Sequence, residues 1–237
     1  MKEVYLPESS PPLFTRLESD DSYPYSRVLI NIAQSVIMAA LVCVDVQYDY
    51  FPGGSLACAG ADAILAPLGA VLQRAPASFC AVAATQDAKE ARPAGDAYWS
   101  KWPPHCVVGT RGQEMHAALA AALPAGARRF AKAAAQNAFH EGSGLAPFLR
   151  AQGARAVVVC GLALEYCVLA TALGAADAGF PTVVIVREGS AAFGTEEDKV
   201  EGKIAALVAE KQGKTGVRVH IVATFEEALA VVAAAAR

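Results

Sequence analysis

The sequence predicts an α/β fold, a three-layer α/β/α sandwich around a mainly parallel, doubly wound, six-stranded sheet. Three observations predict it. Short apolar runs alternate along the chain with longer stretches whose apolar residues recur at helical spacing. Most of the short runs are apolar, as expected of parallel strands covered on both faces by right-handed crossovers. A chain of 237 residues with 54% hydrophobic and 18% charged side chains is large enough for one sizeable core.

Taken in order, residues 1–26 are rich in Pro, Ser, Glu and Asp with little periodicity and read as a tail or surface arm. Residues 28–37 carry the pattern of an amphipathic helix, and Met38 stands just before the first convincing strand. Residues 1–38 are therefore expected to be an N-terminal extension, partly loose, and residues 39–237 the folded domain. The apolar stretch from Val28 to Val46 is interrupted by Asn31, Gln34 and Ser35, with Asp45 near its end, which suits a helix joined to a strand better than a membrane span. Strands are expected over 41–45, 79–85, 128–131, 156–160, 182–186 and 217–222. Helices are expected over 61–74, 113–123, 145–152, 166–178, 196–211 and 225–235, the last rich in alanine for its helix propensity.

The formal net charge of -3 and the absence of a Lys/Arg-rich run offer no basic field to a phosphate backbone, so nucleic acid is not an expected partner. Neither is a membrane. Charges and prolines occupy the start of the chain where the apolar core of a secretory signal would lie, and a cytoplasmic location is expected. Cys43, Cys58, Cys80, Cys106, Cys160 and Cys167 show no CxxC pairing, and three of them fall in expected strands. That fits free thiols in a reducing compartment better than disulfides or a zinc knuckle. The expected partner is a small-molecule substrate, and homo-oligomer formation is left open.

In sheets of this kind ligands sit at the carboxyl ends of the strands, and the residues there are reactive or polar: Asp45, Asp87, Lys132 and Cys167. Cys167 follows the run Val157-Val158-Val159-Cys160 and a small-residue turn, in the first turn of an expected helix. Free N–H groups and the helix dipole favour a thiolate there. Each residue also has a plain reading: Asp45 capping a turn, Lys132 solvated, Cys167 filling a strand–helix junction. Together they form a set in which Asp45 accepts the thiol proton, Lys132 holds the negative charges and Cys167 attacks a carbonyl.

Three ordered blocks then carry a resemblance. They are Val44-Asp45-Val46-Gln47-Tyr48-Asp49-Tyr50-Phe51-Pro52-Gly53-Gly54-Ser55-Leu56, Trp102-Pro103-Pro104-His105-Cys106-Val107-Val108-Gly109-Thr110, and Cys160-Gly161-Leu162-Ala163-Leu164-Glu165-Tyr166-Cys167-Val168-Leu169-Ala170-Thr171-Ala172-Leu173. They resemble the signature blocks of the nicotinamidase/pyrazinamidase branch of the isochorismatase-like cysteine hydrolases, over roughly residues 41–222. The resemblance implies a cysteine-dependent amidohydrolase that converts nicotinamide to nicotinate and ammonia in NAD salvage. It makes Asp45 the proton acceptor and donor, Lys132 the charge-stabilising partner and Cys167 the nucleophile. It places a non-proline cis peptide at Leu162-Ala163, the Ala163 and Cys167 N–H groups as an oxyanion hole, and Tyr50, Trp102 and Tyr166 around the substrate ring.

The same resemblance implies a divalent metal, zinc being one choice, on Asp87 and His105, but Lys89 stands where the family's third ligand, a histidine, is expected. A protonated lysine cannot ligate a cation. Three readings follow. Waters or another carboxylate such as Asp96 complete the metal shell, which is preferred because two ligand positions persist. Alternatively the Lys89 ammonium replaces the metal and hydrogen-bonds the substrate's ring nitrogen, or the loop from Asp87 to Trp102 is so altered that substrate choice or activity has changed. An amidase for another small amide, carbamoyl or ureido compound, and a binding protein without turnover, are the competing functions. His116 and His140 are read as surface or packing residues.

Overall fold

The computed structural model describes residues 38–93, 95–133, 135–194 and 197–236. The expected tail and the expected helix over 28–37 lie outside the described residues. The strands are β1 (Ala39–Val44), β2 (Ala81–Gln86), β3 (Arg128–Ala131), β4 (Ala156–Leu162), β5 (Thr182–Ala191) and β6 (Arg218–Val222). They form one sheet in the order β3-β2-β1-β4-β5-β6, every pair parallel. The chain leaves β1 towards one edge and returns to the other side of it at β4. This reversal opens a crevice between the carboxyl ends of β1 and β4, where a doubly wound sheet places its ligand.

The helices are α1 (Leu65–Ser78), α2 (Ala117–Ala122), α3 (Leu145–Ala151), α4 (Leu169–Asp177), α5 (Glu197–Thr215) and α6 (Phe225–Ala235). Two cores, one on each face of the sheet, make the three layers. Leu41 and Cys43 of β1 pack towards Leu68, Leu72 and Ala75 of α1, Leu119 of α2 and Val232 of α6. Their neighbours Ala40, Val42 and Val44 point the other way, towards Leu145 and Leu149 of α3, Ala172 and Ala175 of α4 and Ile204 of α5. Each buried Leu, Val or Ile contributes roughly 1.5–3 kcal/mol by leaving water, and β1 is buried on both sides for its whole length.

The elements differ from expectation where side chains at a distance decide. β1 ends at Val44 because Asp45 turns into the left-handed region, at φ 51. β5 runs to Ala191, well past the expected end at residue 186, since a register shift opposite Val159 and Gly161 lets Ser190 and Ala191 pair with Gly161 and Leu162. The helix expected over 113–123 is confined to α2, with His116 as its cap: the His116 Nδ1 accepts from the Ala118 N–H at 3.3 Å. All six cysteines are free. Among the described residues no helix is long and apolar enough to cross a membrane.

Candidate active site

Asp45, Lys132 and Cys167 leave the ends of β1, β3 and β4. The Asp45 N–H donates to both the carbonyl and the hydroxyl oxygen of Thr85 at 3.2 Å, which holds the left-handed turn in place. Its Oδ1 accepts from the Thr85 hydroxyl at 2.7 Å, and its Oδ2 lies 2.7 Å from Lys132 Nζ. The lysine is anchored in turn, its N–H donating to Gln86 O at 2.9 Å and Nζ donating to the carbonyls of Ala135 and Gln136 at 3.0 Å each. Both members of the pair are essentially out of contact with solvent.

Burial lifts the Asp45 carboxyl above its ordinary range, against the pull of the Lys132 charge. Burial alone would lower Lys132, but Asp45, Cys167 and Asp87 outweigh it and hold its proton on. Cys167 is 8% exposed. Burial first and Asp45 second push its thiol up to about 12, while the Lys132 ammonium draws it back through charge and a hydrogen bond. The site thus opposes the thiolate that a helix start favours. The helix end favours the anion locally, but enclosure beside a carboxylate opposes it more strongly.

The path of β4 into this site depends on Gly161. Its φ is 123, and a Cβ there would lie 2.0 Å from the Val44 carbonyl oxygen, so no other residue allows the two strands to approach. The Leu162–Ala163 peptide is cis. A π-type turn, Leu164–Val168, then presents Cys167 ahead of α4, with the N–H groups of Tyr166 and Val168 both donating to Ala163 O at 3.1 Å.

Two residues of the first block prove to be braces that local reading could not identify. Gln47 clasps Asp87 through its backbone: Nε2 donates to Asp87 O at 2.8 Å and Oε1 accepts from the Asp87 N–H at 2.7 Å. Asp49 accepts from the Cys106 N–H at 2.6 Å and from the Ser55 N–H at 3.1 Å, tying the first block to the second. Non-glycine residues at positive φ flank the same site: Asp45 after β1, Ala133 beside Lys132, and Cys106 beside His105 in the connection from β2 to β3. Each such turn costs about 1–3 kcal/mol and is held by the structure around it, a pattern typical of functional sites.

Cys167 opens onto a cavity of about 270 Å³; Asp45 and Lys132 do not line it, but Ala135 and Gln136, whose carbonyls hold Lys132, do. Tyr50, Trp102 and Tyr166 line it, as the sequence suggested, and so do Asp87, His105 and Ala163. Trp102 meets Tyr166 edge to face at 5.6 Å between ring centroids. Unanticipated walls are Trp99 and Phe193, the latter stacked on Trp102 at 5.6 Å. Phe193 follows the unexpected extension of β5, and Glu165 fixes it by accepting from the Phe193 and Gly194 N–H groups at 2.9 and 3.0 Å. Had the strand been carried to Ala191, the strand-end rule would have pointed to it. Flat aromatic walls with a polar floor suit one small ring-bearing molecule.

The positions implied as metal ligands form the side of that floor. Asp87 Oδ2 accepts from the Tyr50 hydroxyl at 3.0 Å and lies 3.9 Å from His105 Nε2, and the Lys89 ammonium is in direct contact with the same oxygen. His105 Nδ1 faces Pro103 O at 2.7 Å, and burial holds the imidazole below its ordinary pKa. Asp96 is engaged elsewhere, accepting from the Tyr98 N–H at 2.8 Å and pairing with Arg92 at 3.8 Å. Among the described residues no three His, Cys, Asp or Glu side chains gather to hold a metal ion. The present donor set, with a cation already on its carboxylate, does not fit a dication.

Comparison with known proteins gives the same lineage as the motifs. A sequence model described as the isochorismatase domain matches residues 39–210. The chain is similar to the nicotinamidase/pyrazinamidase of Mycobacterium tuberculosis, 37% identical over 160 residues covering 63% of this chain and 84% of that protein. Among solved structures it is similar to a pyrazinamidase of Pyrococcus horikoshii in complex with zinc, with TM-score 0.64, 30% identity and coverage of 78% and 99% of the two chains. It is likewise similar to PnC1 from L. infantum in complex with nicotinate, with TM-score 0.64, 32% identity and coverage of 80% and 96%. The chain therefore belongs to the isochorismatase domain family, within its nicotinamidase/pyrazinamidase branch.

Proposed function

We infer that this protein is a nicotinamidase, a cysteine-dependent amidohydrolase that converts nicotinamide to nicotinate and ammonia and so serves NAD salvage. The observation that carries the reading is Cys167 in the wall of an aromatic-lined cavity, its thiol acted on from behind by the buried Asp45–Lys132 ion pair. Relatives with 37% and 33% identity bear the names nicotinamidase/pyrazinamidase and nicotinamidase, and a solved relative holds nicotinate.

In the reaction we propose, the carboxamide carbon sits over Cys167 with the ring between Trp102, Tyr166 and Phe193. Asp45 takes the thiol proton as sulfur attacks, so the charge formed stays beside the Lys132 ammonium. The oxygen anion of the tetrahedral adduct is met by the N–H groups of Ala163 and Cys167. Asp45 returns its proton to the departing nitrogen, ammonia leaves, and a thioester remains. Water, deprotonated by Asp45, attacks the thioester. The carboxylic acid is released and the thiol regains its proton.

Raised basicity suits Asp45 to this exchange, because a carboxylate with an ordinary pKa is a poor base towards a thiol near 12. Asp87 and His105 are the protein ligands that a divalent ion would need, and the Lys89 ammonium already occupies the Asp87 carboxylate. Ammonia release from nicotinamide, pyrazinamide and a panel of ureido compounds tests the reading. Turnover of nicotinamide that vanishes in Cys167→Ala supports it, and turnover of a ureido compound with nicotinamide inert overturns it.

A further inference from the structure

Lys89 is buried in the cavity wall and its position is built in. The Lys89 N–H donates to Cys106 O at 3.0 Å and the Val108 N–H donates to Lys89 O at 2.9 Å, a short parallel bridge to the segment carrying His105. An ammonium has three donors and no lone pair. One donor goes to Asp87, which is the lysine's one side-chain partner among the described residues. The others have the cavity to serve, and an enclosed N–H left without an acceptor is costly. A ligand atom that accepts a hydrogen bond completes the arrangement. Asp87, for its part, already has its negative charge balanced, with the Tyr50 hydroxyl on the same oxygen.

We propose that the Lys89 ammonium, seated on Asp87, does the work of a divalent ion in this chain. It donates a hydrogen bond to the acceptor nitrogen of a pyridine-type ring, and turnover proceeds without metal. This rests on the nicotinamidase reading. Cys167 and Lys89 line one cavity, so a heteroaromatic carboxamide meets the sulfur with its amide and the ammonium with its ring nitrogen. The lysine fixes the ring through that hydrogen bond and selects for a ring that carries an acceptor.

The test uses the whole protein, treated with a chelator and then analysed for metal. Nicotinamide is compared with benzamide, the same ring without its nitrogen. The chelated protein is expected to hold substoichiometric metal, to keep its activity, and to gain nothing from added zinc or manganese. Lys89→Met is expected to lower kcat/KM for nicotinamide about 10- to 150-fold, the worth of one charged hydrogen bond, while benzamide turnover changes little. Lys89→His keeps the proposal testable if the methionine variant folds poorly: exchanging the cation for a ligand should make the protein bind about one zinc per chain, consistent with three-ligand sites. Loss of wild-type activity on chelation with recovery on zinc overturns the proposal and leaves the nicotinamidase reading standing. Equal losses on nicotinamide and benzamide in Lys89→Met also overturn it. Failure to hydrolyse nicotinamide with or without metal overturns that reading, and this proposal with it.

Discussion

Asp45→Asn separates two effects of one carboxylate on Cys167. Its charge makes the thiol harder to ionise, and its basicity gives the thiol proton a destination. The amide removes the negative charge beside the sulfur but leaves the Lys132 ammonium on the carbonyls of Ala135 and Gln136. A charge at this range changes the thiolate population at fixed pH by about 10- to 1,000-fold. The variant is therefore expected to react with iodoacetamide at Cys167 faster than wild type at pH 8, by at least about 10-fold, with the labelled residue assigned by peptide mass spectrometry. Amidase activity is expected to fall by about 10²–10⁴, the usual worth of a general base. Lys132 keeps two acceptors, so destabilisation stays under the about 3–5 kcal/mol of a broken buried pair. A thermal melt checks folding, with each kcal/mol moving Tm by roughly 2–4 °C at this size. Parallel loss of labelling and amidase activity would mean that Asp45 maintains a standing thiolate, and the charge account would be wrong. Amidase activity within tenfold of wild type would show that the proton goes elsewhere.

The acid limb of kcat/KM should lie above the ordinary aspartate value of about 3.9, because burial raises Asp45 and only its ionised form accepts the thiol proton. As pH falls, activity is then lost earlier than an exposed carboxylate would dictate; a profile flat down to pH 4 refutes this. Gly161→Ala places a Cβ 2.0 Å from Val44 O at φ 123, and urea unfolding should show a loss of about 2–6 kcal/mol from strain and crowding together. Phe193→Ala should raise KM for nicotinamide about 10-fold with little change in kcat, since the ring walls the cavity without touching the reacting atoms. Glu165→Gln, which keeps one acceptor oxygen for the Phe193 and Gly194 N–H groups, should shift KM the same way by less.

The centre of the sheet was readable from the sequence because β1, β2 and β4 are buried on both faces, so hydrophobicity marks them. The edge strands β3 and β6 are part-exposed and were readable mainly by their place in the alternation. Asp45 and Lys132 were readable because each directly follows a strand, and Cys167 because it comes in the turn after the most apolar one. Residues 187–190, by contrast, read Arg-Glu-Gly-Ser and look like a loop; only the register shift against Gly161 makes them a strand, and Phe193 was missed with them. Gln47 and Asp49 are polar residues in a motif, and nothing local says that one holds the Asp87 backbone and the other the Cys106 amide. What opposes ionisation of Cys167 was hidden for a similar reason. Helix position is visible in a sequence, whereas enclosure beside Asp45 is a product of three strands meeting.

The bridge between Lys89 and Val107 closes the chain between them into a loop with a narrow neck. Tyr98, Trp99, Lys101, Trp102 and His105 all lie inside that loop, while Asp45, Lys132 and Cys167 are rooted in the sheet outside it. The fold thereby puts part of the ring pocket on a segment separate from the reacting residues. A loop fastened at its neck and at Pro104 and Cys106, near one end, can vary over the rest of its length to fit a different ring, and the machinery that breaks the amide bond is left undisturbed beneath it.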